Sequence, residues 1–318
     1  MTKVKSTSIP WKNWRIWTAI ALVIAIFVSL TTAGSISLTE VYASLTAFPL
    51  WALFSALLLA TAQVILMGAR LWTLAPRPTP FLTVVWAVAY GQFANAFFPA
   101  RAGDALKIAI LSDSKKGAGL SFTAATGILV ADRPVDISAL LLWIGISGSH
   151  QVAAFQSEKF PSIGTVLLYF IFGILLVVLF FKSPVINKFP KFRERISEFG
   201  KSAGVFLNFR HGLPALAFGL STWLCEFIIL LVLVHSIGFQ LSFAEIVGVI
   251  VILNLAIAIP ISVANVGPFE AAMAYALTKL GLPAATALSV AILHHAFQVL
   301  GTCVATLTLA TFQKLSKT

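Results

Sequence analysis

The sequence predicts an all-α polytopic transmembrane bundle, with about six full spans and two oppositely oriented re-entrant hairpins forming an inverted repeat. Three observations predict it. Only 10% of the 318 residues are charged, against roughly 25% in soluble domains, too few to cover a water-facing surface. The hydrophobic residues, 59% of the chain, fall in runs near the ~20 residues that cross ~30 Å of hydrocarbon. Lys and Arg gather just outside those runs, as topology determinants do.

The chain reads as one integral membrane domain, 1–318, with a short cytoplasmic tail at 1–13. Trp14 to Ala33 has the length of a span and lacks the small-residue cleavage site of a secretory signal, so it is read as retained. Pro49 to Ala69, Leu120 to Gly148, Ser162 to Phe181, Leu213 to Ser236 and Ala284 to Phe312 are the other full spans. Region 80–112 is apolar up to Pro99 and then broken by Arg101, Gly103, Asp104 and Lys107. Region 243–280 is apolar up to Pro260 and then broken by Asn265, Gly267, Pro268 and Glu270. Segment 183–212 combines basic residues with Phe189, Phe192, Ile196 and Phe199 at helical spacing, a pattern suited to an anionic inner leaflet.

Charge then sets the threading. The tail and the basic segment belong in the cytoplasm under the positive-inside rule. Two crossings return Arg70 and Arg77 to that side, so 80–112 must enter and leave from the cytoplasm. Lys314 and Lys317 hold the C-terminus inside, so 243–280 must start and end outside. This leaves only Lys159 and Lys279 outside and Arg133 within the membrane. Broken helices facing each other from opposite sides make an inverted repeat, and they require a polar cavity, because non-helical backbone at that depth survives only beside protein or water. The expected location is the inner membrane, with both termini cytoplasmic.

Asn95-Ala-Phe-Phe-Pro-Ala-Arg-Ala-Gly-Asp104 carries the densest chemistry. A helix starting near Gly103 would present N-terminal amides to an anion, and Arg101 would add a planar fork suited to phosphate. Asp104 and Lys107 lie one turn apart. A cytoplasmic loop with a surface ion pair is the structural alternative. Asp132, Arg133 and Asp136 sit inside Leu120 to Gly148, where each charge costs ~2.5–3.5 kcal/mol on insertion scales. They must pair or face a wet cavity; the net −1 makes the cluster a partner for Arg101 or Lys107, and an internally neutralised structural network is the alternative. Pro134 between them frees an upstream carbonyl.

Glu270 falls in the first turn after Gly267-Pro268, where it serves either as a cap or as a proton or counter-ion site. Asn265 lies in the same turn. Glu226 stands alone in the middle of its hydrophobic run, a functional candidate by default, with a protonated interhelical hydrogen bond as the alternative. His294 and His295 project ~100° apart and cannot share one metal; His294 shares a face with Gln298. Cys225 and Cys303 lie in apolar runs and indicate neither disulfide nor metal. Neither metal nor cofactor is expected, and the formal charge of +11 is read as lipid contact rather than nucleic-acid binding.

Taken together, these motifs resemble the membrane region of lysylphosphatidylglycerol synthetases and the related stand-alone flippase-like family. The resemblance rests on Asn-x-x-x-Pro-x-Arg-x-Gly-acid from Asn95 to Asp104, on the acid-Arg-x-x-Asp element of Asp132, Arg133 and Asp136, and on Gly267 with Glu270. It covers nearly the whole chain. Where the family carries a Gly-Gly pair, this chain has Val263-Ala-Asn265. The synthetases' soluble aminoacyl-transferring domain is not expected, and lipid aminoacylation with it.

The resemblance implies translocation of an anionic phospholipid or lipid-linked anion between leaflets, not covalent catalysis. A separate lipid-modifying enzyme is a candidate partner. A proton-coupled carrier of a small soluble anion, using Glu226 or Glu270, is the second reading. A membrane-embedded lipid transferase using His294, His295 and Glu226 is the third; no nucleotide loop or nucleophile–base pair supports it.

Overall fold

The computed structural model describes residues 37–98, 102–114, 117–148, 200–202, 204–258, 262 and 265–315. The expected spans Trp14 to Ala33 and Ser162 to Phe181 lie outside these residues, as do the tail 1–13, most of 183–212, Pro99 and Arg101. Everything regular among the described residues is helical: α1 (Leu38–Thr46), α2 (Leu50–Leu74), α3 (Phe81–Phe97), α4 (Ala102–Ser112), α5 (Phe122–Ser147), a 3-10 turn (Gly204–Leu207), α6 (Phe209–Ser236), α7 (Phe243–Ala256), α8 (Pro268–Lys279) and α9 (Ala284–Leu315).

Three of these, α2, α6 and α9, are long and apolar enough to cross a bilayer. With 26 residues, α5 has the length, but Asp132, Arg133 and Asp136 interrupt its apolar character. The helices α3, α4, α7 and α8 have 17, 11, 14 and 12 residues, each short of the ~20 needed to span alone. The two regions read as awkward from sequence are therefore two broken helix pairs.

Local chemistry explains most boundaries. Ser121 caps α5 by accepting the Ala124 amide at 3.0 Å, and Asn208 caps α6 by accepting that of Arg210 at 3.0 Å. Consequently α6 begins at Phe209, four residues before the expected Leu213, and takes the end of 183–212 into the helix. Ser242 and Glu245 form a capping box at α7. At α8, Pro268 occupies the first turn after Gly267, whose φ of 96° suits glycine.

Helix α2 lies at the centre, packed against α3, α5, α6 and α9. Its Ala52, Ala56, Ala60, Val64 and Gly68 repeat every four residues and are buried, a stripe of small side chains that lets helix backbones approach closely. A Cβ on Gly301 of α9 would stand 2.6 Å from the Ala60 Cβ, and one on Gly68 would stand 2.7 Å from the Val85 Cα of α3. Two apolar cores flank this axis. The larger joins α6, α7, α8 and α9, including Phe227, Ile250, Met273 and Val290. The smaller joins α2 to α3, α4 and α5 through Leu71, Val88, Leu111 and Ile128.

Candidate functional site

Between the two broken pairs lies a cavity of about 350 Å³, walled by polar and charged side chains of α2 through α7 and α9 and by Phe269 of α8. Such a cavity is what the broken helices demand.

The first pair forms its most tightly built wall. Helices α3 and α4 run antiparallel, with Asn95 opposite Gly103 and Gly91 opposite Lys107. A Cβ on Gly103 would fall 1.8 Å from the Gly91 carbonyl oxygen, so only glycine permits this approach. The Gly103 amide donates to Asn95 Oδ1 at 2.8 Å. One amide of the expected anion site at the α4 N-terminus is thus already taken by the protein. Further along α4, Lys107 donates to Asp104 Oδ1 at 3.0 Å and to Gln92 Oε1 at 3.4 Å. Arg133 reaches across from α5 to Asp104 Oδ2 at 3.0 Å.

The partners of Asp132 and Asp136 correct the sequence reading. Neither Lys107 nor Arg133 neutralises them; Arg70 of α2 does. Its Nε donates to Asp132 Oδ1 at 2.7 Å and its Nη2 to Asp132 Oδ2 at 3.0 Å, while Nη1 holds Asp136. Arg70 is only 2% exposed, so it serves as a buried counter-charge rather than as a solvated residue at the end of an apolar run. Asp132 and Asp136 lie four apart on one face of α5 and present two carboxylates, a match for a guanidinium fork. Arg133, about 100° away on the same helix, points instead to α4. Two triads of opposite sign result: Arg70 with two aspartates sums to −1, and Asp104 with two bases sums to +1.

The far wall is built on different chemistry. Glu226 of α6 accepts from Gln63 Nε2 of α2 at 2.7 Å and from Gln298 Nε2 of α9, and meets His294 Nε2 of α9 at 3.0 Å. Glu270 of α8 caps the Gly267 amide through Oε2 at 2.7 Å, and its Oε1 meets His295 Nδ1 at 2.6 Å. The adjacent histidines diverge to separate acids, as their angular offset requires. Asn265, held at φ 62°, lines the cavity beside Phe269.

A sequence profile of the family described as the lysylphosphatidylglycerol synthase TM region matches residues 16–305. The chain belongs to that family. No curated protein and no solved structure matches it. This member of the lysylphosphatidylglycerol synthase TM-region family is thereby an integral, multi-pass membrane protein, and its family ties it to membrane lipid.

Of the residues singled out in its sequence, Asn95, Asp104, Lys107, Asp132, Arg133, Asp136, Glu226 and Asn265 line one cavity. Glu270 and His294 stand one contact behind its wall. Arg101 lies outside the described residues. Sequence reading missed Arg70, Gln63 and Gln92. For Arg70 the signal was present: Leu71-Trp72-Thr73-Leu74 follows it, a further apolar turn that marks the arginine as inside the helix. Gln63 and Gln92 were single polar residues within apolar runs, and in a membrane such residues seek interhelical partners.

Proposed function

We propose that this protein translocates an anionic phospholipid, or another lipid-linked anion, between membrane leaflets. The observation that carries the reading is the charged cavity enclosed between two broken helix pairs within an otherwise apolar bundle. Charges at such depth are costly and ordinarily mark a substrate or ion pathway. At about 350 Å³ the cavity lies near the lower end of the roughly 300–1,000 Å³ of ligand sites, room for a head group while acyl chains stay in lipid. The Asp104–Lys107–Arg133 triad has a surplus positive charge for phosphate. Arg133 is its most accessible member, with a side chain 48% exposed.

The broken pairs α3/α4 and α7/α8 are read as re-entrant hairpins entering from opposite faces, an arrangement that puts substrate near the bilayer midplane in transporters built as inverted repeats. No covalent step is assigned. Asn95, Arg101, Lys107 and Arg133 are the proposed head-group contacts. Asp104, Asp132 and Asp136 set the charge around them.

The test is leaflet exchange of labelled phosphatidylglycerol and phosphatidylcholine in liposomes carrying the purified protein, wild type beside Arg133→Ala. Exchange of the anionic lipid above that of empty liposomes, reduced in the variant, is expected. Wild-type protein that moves neither lipid, or a variant as fast as wild type, overturns the assignment. Uptake of a small anion without lipid exchange would favour the soluble-anion carrier.

A further inference from the structure

We infer that Glu226 and His294 form a proton-binding site that couples movement of the head group to movement of protons across the membrane. This rests on the translocation reading and supplies its energy source.

The pair is buried yet adjoins the cavity. Glu226 is 4% exposed and His294 0%, while Glu226, Gln63 and Gln298 all contribute to the cavity wall. The three side chains that meet the Glu226 carboxyl do so through nitrogen: Gln63 Nε2, His294 Nε2 and Gln298 Nε2. A carboxylate satisfies three donors, whereas a carboxylic acid needs one contact to accept its proton. The arrangement therefore suits an ionised Glu226 beside a neutral His294 that carries its hydrogen on Nε2.

The other imidazole nitrogen decides what one added proton does. Among the described residues, His294 Nδ1 is buried with no hydrogen-bond partner. A bare nitrogen lone pair tolerates that position better than an N–H does, because an unmet donor forfeits its full solvation. The proton can be added in two ways. It can make His294 an imidazolium, or it can reside on Glu226 and be donated to Nε2, the histidine hydrogen then moving to Nδ1. Both put an N–H on Nδ1, where nothing accepts it. The pair goes from −1 to 0, and its protonated form favours a different packing from the one seen here. A conformational equilibrium with differential affinity for a proton is what coupling requires.

Among the described residues, no fixed charge nearby can do the proton's work. On α2 the cation is Arg70, engaged by Asp132 and Asp136 of α5. In α7 the only ionisable residue is Glu245, which caps its own helix at Ser242. On α9 the neighbour is His295, held by Glu270 of α8, and within α6 it is Cys225, a free thiol. Phe269 of α8 provides the mechanical link. Its ring lies 5.9 Å from that of His294 and stacks on that of His295 at 4.2 Å. A change at His294 is thus felt at the start of α8, which Glu270 pins to Gly267.

The experiment uses the full chain in phosphatidylcholine vesicles holding labelled phosphatidylglycerol and an entrapped pH dye, with and without an imposed pH gradient. Wild type is expected to exchange lipid faster under the gradient, by up to about tenfold per pH unit, the limit for one proton, with a matching dye signal. Glu226→Gln is expected to lose both responses. His294→Gln gives the same reading if the first variant does not fold. Independently, nitrogen NMR of histidine-labelled wild type should find His294, identified by its loss in His294→Gln, as the Nε2–H tautomer. Exchange indifferent to the gradient, or a proton signal persisting in both variants, overturns the coupling and leaves translocation standing. A His294 with its hydrogen on Nδ1 also overturns the coupling. No lipid exchange under any condition overturns both.

Discussion

The cavity has two walls of unlike chemistry. On the side of α3, α4 and α5, the ionic contacts among the described residues join aspartates to Arg70, Lys107 and Arg133. On the side of α6, α8 and α9, both acid contacts join a glutamate to a histidine. Arginine and lysine hold their charge throughout the physiological range, whereas histidine is the side chain whose charge ordinarily changes between about pH 5 and 8. One wall is thus a fixed electrostatic frame, and the other is the one to which the proposed proton coupling is assigned. The difference teaches how a bundle can hold a binding site steady while leaving a second element free to switch.

The comparison breaks most severely at Arg70. Arg70→Ala leaves Asp132 and Asp136 without their counter-charge, and losing one partner of a buried pair costs about 3–5 kcal/mol. The expected outcome is a large fall in melting temperature by intrinsic tryptophan fluorescence in detergent. Adding Asp132→Asn and Asp136→Asn to Arg70→Met should recover most of it, because an uncharged replacement removes the unpaired acids as well. Failure of that rescue would mean that Arg70 acts through more than these two contacts.

Gly103→Ala comes next. Its Cβ would meet the Gly91 carbonyl at 1.8 Å, and forcing extra atoms into close packing costs about 1–3 kcal/mol. Protease cleavage between α3 and α4 should speed up, with α8 unchanged, which sharpens the separation of the two walls. Glu270→Gln tests the other wall. The amide oxygen can still accept the Gly267 N–H, so the loss is chiefly the His295 contact, about 1 kcal/mol for one hydrogen bond. A small fall in melting temperature with cleavage between α3 and α4 unchanged is expected, and faster cleavage there in this variant would abolish the distinction.

Arg133→Ala is expected to change stability least. Half-exposed, it contributes about 0–1 kcal/mol as a partly solvated ion pair, and Asp104 keeps Lys107 at 3.0 Å. Unaltered melting with reduced lipid exchange is the anticipated result, and circular dichroism melts beside the exchange assay check it.

Much of this was legible in the chain itself. Hydrophobic runs marked α2, α5, α6 and α9, and the charges at Arg101–Lys107 and the Gly267-Pro268 turn marked where α3/α4 and α7/α8 break. The acids of the site were legible because a lone carboxylate in an apolar run is conspicuous. Their partners were not. Arg70 stood at the end of an apolar run, where a cation is ordinarily a topology signal. Gln63 and Gln92 carried no charge to draw attention. Which cation meets which acid depends on how helices far apart in sequence rotate and pack.

By itself, then, the sequence determined that the chain is helical, membrane-embedded and interrupted by charge in two regions, because burial in hydrocarbon is governed by local composition and run length. Only the tertiary structure decided that Arg70 answers Asp132 and Asp136, that Asp104 bridges Lys107 and Arg133, and that adjacent histidines serve separate glutamates. Those pairings span up to 68 residues, as from Glu226 to His294. They follow from the packing of α5 against α2 and α4 and of α9 against α6 and α8, a property of packed faces that no single stretch of sequence contains.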